Sequence, residues 1–231
     1  MTLQEAIPKR KSVRKYDSSP PDSKDLDGIG IFSKSAKPLF EGIKTRFDIL
    51  PANKVKGMTN APYFLAAYSE KKNGSLINIG FMLQQMDLYI HSIGLGSCWL
   101  GSAKPMENND EEFVISLAFG KAAETPFREL SGFKRKPLEK ISDTADKRLE
   151  PARLAPSALN SQPWYFTGND EGFNCYCARK FPAALFENLN KIDVGIALAH
   201  LYAAYPDKFK FSVQGNPKQL KGHYYIGSVG I

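Results

Sequence analysis

The stretch Ala155-Pro156-Ser157-Ala158-Leu159-Asn160-Ser161-Gln162-Pro163-Trp164 decides how the rest of the chain is read. Two prolines, two serines and an asparagine leave neither a helical nor a strand period of apolar residues, which predicts an ordered loop. Ser157 and Asn160 carry short donors and acceptors that can bond nearby backbone or the edge of a planar ring. Pro163-Trp164-Tyr165-Phe166 then runs apolar, as a strand leaving the loop would. The same residue types dominate ordinary turns, so composition alone fits a structural turn as well as a binding loop.

The pattern Pro156-Ser157-Ala158-x-Asn160-x-Gln162-Pro163-Trp164 resembles the flavin-contacting loop of the nitroreductase family of FMN-dependent oxidoreductases. The resemblance implies that Pro156, Ser157, Ala158 and Asn160 hold a flavin ring. In that family the loop follows soon after the N-terminus, whereas here it lies past the middle of the chain.

With 231 residues, 42% hydrophobic and 24% charged, the chain has enough apolar material for one large core or two small ones. No apolar run approaches the ~18 residues of a membrane span, and Met1 to Lys11 has no stretch like a signal peptide, so cytoplasm is the expected location. Cys98, Cys175 and Cys177 are an odd count without zinc or redox spacing. Buried free thiols, and no metal site, are expected. The net charge of +7 permits a polyanion partner, but the basic residues cluster in two short runs, Lys9 to Lys15 and Lys134 to Lys136. No aromatic-interleaved basic stripe accompanies them, so a small phosphate-bearing ligand suits them better than nucleic acid.

Thr2 to Lys9 reads as a short helix capped by Thr2 and disturbed by Pro8. Lys9-Arg10-Lys11-Ser12-Val13-Arg14-Lys15 follows, and guanidinium forks with a hydroxyl suit phosphate. Arg-x-Ser-x-Arg after a first helix resembles the nitroreductase segment that grips the FMN phosphate, which implicates Arg10, Lys11, Ser12 and Arg14. Pro20 to Phe40 reads as a turn and a helix capped by Asp22 or Ser23. Phe47 to Leu50 and Pro62 to Tyr68 read as strands. A long helix is expected from Leu76 to Ser92, with Ile79, Met82, Leu83, Met86 and Ile90 facing the core. Gly94-Leu95-Gly96-Ser97-Cys98-Trp99-Leu100-Gly101 is dense in glycine, which implies close backbone approach. It resembles the family segment whose backbone faces the reactive flavin edge, which implicates Leu100 and Gly101 as donors toward N5, with Trp99 packing nearby. Glu112 to Phe119 reads as an apolar strand. Arg135-Lys136-Pro137-Leu138-Glu139 resembles the family's Arg-Lys-Pro-Leu-Glu tail, whose arginine reaches the phosphate, so Arg135 joins the candidates.

The chain also repeats itself. Ile77-Asn78-Ile79-Gly80 matches Ile192-Asp193-Val194-Gly195, Trp99 to Lys104 matches Val213 to Lys218, and Phe113-Val114-Ile115 matches Tyr224-Tyr225-Ile226, in the same order. The first part carries the phosphate and glycine segments but no Pro-Ser-x-x-Asn loop, and the second part carries only that loop. Ordinary nitroreductases are homodimers with FMN at the interface. The resemblance therefore implies such a dimer fused into one chain, with residues 1–141 and 142–231 as its halves packed into one unit. One of the two sites is kept and the other eroded.

The implied fold is α+β, with helices packed on mainly antiparallel sheets and duplicated as an intramolecular pseudo-dimer. The implied activity is an FMN-dependent oxidoreductase that takes electrons from NADH or NADPH and passes them in ping-pong fashion, through flavin N5, to nitroaromatics, quinones or similar small acceptors. The flavin carries the chemistry, so no catalytic side chain is expected. Two rivals stay open: a flavin-binding protein without turnover, and a basic module for nucleic acid or another polyanion.

Overall fold

The computed structural model describes residues 1–57, 59–107, 112–169, 172–179, 183–213 and 217–231, with backbone alone at 183–185. Helix α1 (Leu3–Ala6) is closed by a capping box: Thr2 Oγ1 accepts from the Glu5 amide and the Glu5 carboxylate accepts from the Thr2 amide. It stops short of Lys9, since Pro8 cannot donate into a further turn. Helix α2 (Ser23–Ser35) starts after Asp22 and ends before Pro38, which disfavours helical backbone ahead of it.

Strands β1 (Thr45–Pro51), β2 (Val55–Lys56) and β3 (Tyr63–Ser69) lead into the long helix α3 (Ser75–Ser92). Strands β4 (Gly96–Leu100), β5 (Lys104–Pro105) and β6 (Phe113–Gly120) follow it. Beyond the short helix α4 (Glu150–Leu154) come β7 (Trp164–Asn169), β8 (Gly172–Ala178), the long helix α5 (Ala183–Ala204), β9 (Lys210–Ser212) and β10 (His223–Gly230). Cys175 and Cys177 are buried free thiols on β8, and Cys98 is buried on β4.

Two four-stranded antiparallel sheets have the orders β1-β3-β6-β4 and β7-β8-β10-β9, and β2 pairs with β5. Each large sheet is made the same way, as two antiparallel strands, a long helix, an edge strand, and a strand that returns to the middle. The two sheets thus repeat one topology. The Trp99 to Val213 match sets β4 against β9, and the ladder pairs Gly96 with Gly120 and Lys210 with Gly230. That places Phe113 against His223, so the expected match of Phe113 with Tyr224 was one residue out. Bulges at different points of β6 and β10 hide the register from sequence. Gln214 to Asn216 of the middle match lie outside the described residues.

The two long helices cross at the centre of the main core, and the crossing is reciprocal. A Cβ on Gly80 would lie 2.1 Å from the Ile192 carbonyl oxygen, and one on Gly195 would lie 2.0 Å from the Ile77 carbonyl oxygen. Each glycine stands three residues after the isoleucine whose carbonyl the other meets. The contacts run Gly80 to Ile192 and Ile77 to Gly195, as at a close antiparallel crossing, and they fall on the positions that the sequence repeat matches. The first repeat seen in the sequence thus lies at the helix crossing.

Candidate flavin site

Two backbone pairings build the site's first wall. The Ser12 segment runs parallel beside β4, with Ser12 bridged to Ser97 and the Val13 amide donating to Ser97 O at 2.8 Å. On its other side residues 121–128 run antiparallel, and the Arg128 amide donates to Lys9 O at 2.8 Å. Tyr16 and Val13 anchor the segment in a small apolar cluster shared with Leu100.

The second wall is the loop from Ala155 to Pro163. It holds Leu159 at φ 52°, Asn160 at 55° and Gln162 at 47°, a left-handed backbone that costs non-glycine residues energy. Its bonds overdetermine that shape: the buried Asp193 carboxylate accepts from the Ala158 amide at 3.0 and 3.1 Å, and Ser157 Oγ accepts from the Gln162 amide at 2.9 Å. Asp193 belongs to the second copy of the repeat. Its counterpart, Asn78, accepts from the Leu39 amide at 2.8 Å and the Phe40 amide at 3.1 Å. Lys37-Pro38-Leu39-Phe40 thus stands in the first part where Pro156-Ser157-Ala158-Leu159 stands in the second.

Between the walls lies a cavity of about 340 Å³. Ser12, Arg14 and Gly101 line it from one side, and Pro156, Ser157 and Ala158 from the other. Cys98, Trp99, Ile115, Ile192 and Ile196 make its interior largely apolar. A side chain on Gly101 would meet nothing within 4 Å, so the backbone there is bare. Ser12 and Arg14 also border a groove of about 300 Å³ that Lys11 lines.

The other expected residues stand elsewhere. Arg10 is 1% exposed, with its Nε 2.8 Å from Asp87 Oδ2, so it is committed to a buried ion pair and does not line the cavity. Leu100 packs its side chain on the small apolar cluster and does not line the cavity. Asn160 is exposed and outside the lining; its Oδ1 accepts from Arg135 Nη1 at 2.5 Å and its Nδ2 donates to Lys134 O at 2.7 Å. It therefore joins Arg135 to the loop.

Two further arginines, Arg128 and Arg135, stand near Arg10 and outside the cavity lining. Arg128 has no motif around it; its backbone pairs with Lys9, and its guanidinium donates to Gly132 O at 3.4 Å and lies over the Phe133 ring. Burial lowers its pKa, and the neighbouring Arg10 and Arg14 lower it further. Arg135 is pushed down to about 10 by burial and then by Arg10, Arg128 and Arg153. These guanidiniums repel one another, and among the described residues Arg14, Arg128 and Arg135 have no ion pair with an acid. The buried Nε atoms of Arg128 and Arg135 have no hydrogen-bond partner among the described residues. Arginines without an acid partner among the described residues, Arg14 on the lining of an apolar slot and Arg128 and Arg135 near Arg10, fit a ligand with a planar apolar part and an anionic end.

Behind the wall, Asp87 collects Arg10, Ser97 Oγ and Gln84 Nε2, the last at 2.8 Å. Burial raises the Asp87 pKa, but Arg10, His91 and these hydrogen bonds outweigh it and hold the carboxyl below its ordinary range. No group of three or more potential metal ligands occurs among the described residues, and no described helix is long and apolar enough to cross a membrane.

The counterpart loop of the first part packs inward at Phe40. Phe40, the counterpart of Leu159, packs edge-on against Phe211 with ring centroids 5.4 Å apart and lies against Gly74. Leu159, by contrast, is 89% exposed at the cavity mouth.

Three comparisons with known proteins bear on this geometry. The family model described as "Putative TM nitroreductase" matches residues 2–205. A crystal structure of a "putative nitroreductase" from Thermotoga maritima superposes with a TM-score of 0.66 at 21% identity, covering 94% of this chain and 91% of that one. A nitroreductase family protein from Clostridium difficile gives a TM-score of 0.51 at 19% identity, with 61% of this chain covering 96% of that one. No curated protein matches. With the fold shared along nearly its whole length and the family model spanning most of its sequence, the chain belongs to this nitroreductase family.

Proposed function

We propose that the cavity between Arg14 and the Pro156–Leu159 loop binds one FMN per chain and that the protein is an NAD(P)H-dependent oxidoreductase acting on small acceptors such as nitroaromatics or quinones. The observation that carries this reading is the junction of an apolar slot with unpaired arginines, formed jointly by two parts of the chain. Residues 1–141 supply Ser12, Arg14, Gly101 and Arg135, and residues 142–231 supply the loop. In this reading the halves are the subunits of a fused dimer. The Clostridium difficile protein supports it, since nearly all of that chain corresponds to only 61% of this one. The inward packing of Phe40, where the second part has the exposed Leu159, supports a single site.

FMN, when bound, supplies the two-electron carrier between donor and acceptor. The chain's own residues bind and orient. Arg14, Arg128 and Arg135 hold the phosphate, and Lys11 and Arg10 add positive charge from the groove and from the buried side. Pro156, Ser157 and Ala158, with Ile192 and Ile196, would hold the ring, and Asn160 fixes Arg135. Backbone at Leu100 and Gly101 would donate to the ring, with open space beside Gly101. Donor and acceptor share one open face, so their use alternates in ping-pong order.

Anaerobic mixing of the FMN-loaded protein with NADH and, separately, NADPH tests this. Bleaching of the visible band by at least one donor, followed by reoxidation with a quinone, is expected. FMN that binds but stays oxidised with both donors would replace the enzyme with a flavin carrier.

A further inference from the structure

We propose that Gln84 and His200 are positioning residues for the cavity, fixing the Trp99 indole through a hydrogen-bonded relay that begins in the second half of the chain. The inference rests on the FMN reading for the identity of the ligand, though the relay itself is geometric. Trp99 lines the cavity and sits directly before Leu100 and Gly101. Its Nε1 is 3.0 Å from Gln84 Oε1. An indole nitrogen can only donate, so this contact settles which end of the Gln84 amide is oxygen.

The amide nitrogen then faces Asp87 Oδ2 at 2.8 Å and His200 Nε2 at 3.0 Å. Since that nitrogen only donates, His200 Nε2 carries the lone pair and the ring proton sits on Nδ1. Nδ1 donates to Pro151 O at 2.9 Å. The run is thus Pro151 O, His200, Gln84, Trp99, with every link donor to acceptor. Gln84 and His200 are both 0% exposed.

Burial lowers the His200 pKa to about 3, so the neutral tautomer persists at neutral pH. His200 and Gln84 do not line the cavity. They act through Trp99, and by holding the indole they hold the turn whose backbone faces the ring edge. Packing alone would have accepted leucine at both positions. The polar pair instead ties α4 and α5 to the wall of a site whose loop they also carry.

The test uses the full chain with Trp164→Phe, because Trp99 and Trp164 are its only tryptophans. The ultraviolet resonance Raman marker of indole N–H bonding then reports Trp99 without FMN, and FMN titration reports the cavity. Gln84→Met is expected to shift the marker to an unbonded indole and raise the FMN Kd about tenfold. His200→Leu is expected to shift both in the same direction. His200→Gln, whose amide oxygen can take the place of Nε2, is expected to restore both to within about threefold of the parent. A merely structural pair would lower the melting temperature in all variants without moving the Raman marker. A folded Gln84→Met or His200→Leu with the parent's marker and FMN affinity would overturn the relay. Failure of the parent to bind FMN would overturn the functional reading instead, and the FMN-free marker would still report on the relay.

Discussion

Gly80→Ala places a methyl group where two backbones already touch. The added Cβ would stand 2.1 Å from the Ile192 carbonyl oxygen, whereas such contacts settle near 3.3 Å. The helices must part by roughly 1.2 Å, and neither can yield locally because the obstacle is backbone at the centre of the core. Overpacking of this kind costs about 3 kcal/mol, at the upper end of the usual range. Alanine's better helix propensity returns about 1 kcal/mol, leaving a net loss of about 2 kcal/mol. For a chain of this size that is a fall in melting temperature of about 4–8 °C, readable by circular dichroism. Gly30→Ala is the control. It is also a glycine within a helix, but its Cβ would meet nothing closer than Ile49 Cδ1 at 3.8 Å, so the same substitution should raise the melting temperature by about 2–4 °C. Adding Gly195→Ala to Gly80→Ala should cost less than it does alone, because the helices have already separated. A Gly80→Ala protein as stable as the parent would refute the reciprocal crossing.

Arg128→Ala should raise the FMN Kd about 10- to 100-fold by removing a charge-assisted bond to phosphate, measured by fluorescence titration. Arg14→Ala should do likewise while leaving acceptor preference unchanged; equal FMN affinity would remove Arg14 from the phosphate grip. Asp87→Ala should lower stability by about 3–5 kcal/mol in urea unfolding, since it strands the buried Arg10 charge. His200 must be neutral in the fold but protonates near its ordinary pKa when unfolded, so stability present above about 6.5 should fall as pH drops toward about 3. His200→Gln, which does not titrate, should flatten that fall in urea midpoints measured across the window.

What the sequence made legible was local or repetitive. The Thr2 cap, the Leu76–Ser92 apolar stripe and the Pro-Ser loop each write their structure into adjacent residues, and all three stand close to where their patterns place them. The Ile77/Ile192 repeat gave more than fold, because its glycines are the contact points of the helix crossing. What stayed hidden depends on partners far away in the chain. Arg10 and Arg14 look equivalent in an Arg-x-Ser-x-Arg motif, yet only Asp87, 77 positions on, shows that Arg10 turns inward. Arg128 belongs to no motif and comes near Arg10 and Arg14 through its pairing with Lys9. Gln84 and His200 look like stray polar residues on apolar helices until the Trp99 indole is seen between them and the cavity. The first part's counterpart loop was invisible because Lys37-Pro38-Leu39-Phe40 shares almost no residues with Pro156-Ser157-Ala158-Leu159. Only the matching amide bonds to Asn78 and Asp193 reveal it.

The central claim is one flavin site built jointly by the two parts of a single chain. Titrating FMN into the purified protein, with molecular mass measured by sedimentation in the same sample, tests it most directly. The account predicts saturation at one FMN per 25.7 kDa chain, with the sedimenting species already competent as a monomer. Two flavins per chain, or binding that appears only when chains associate, would contradict it.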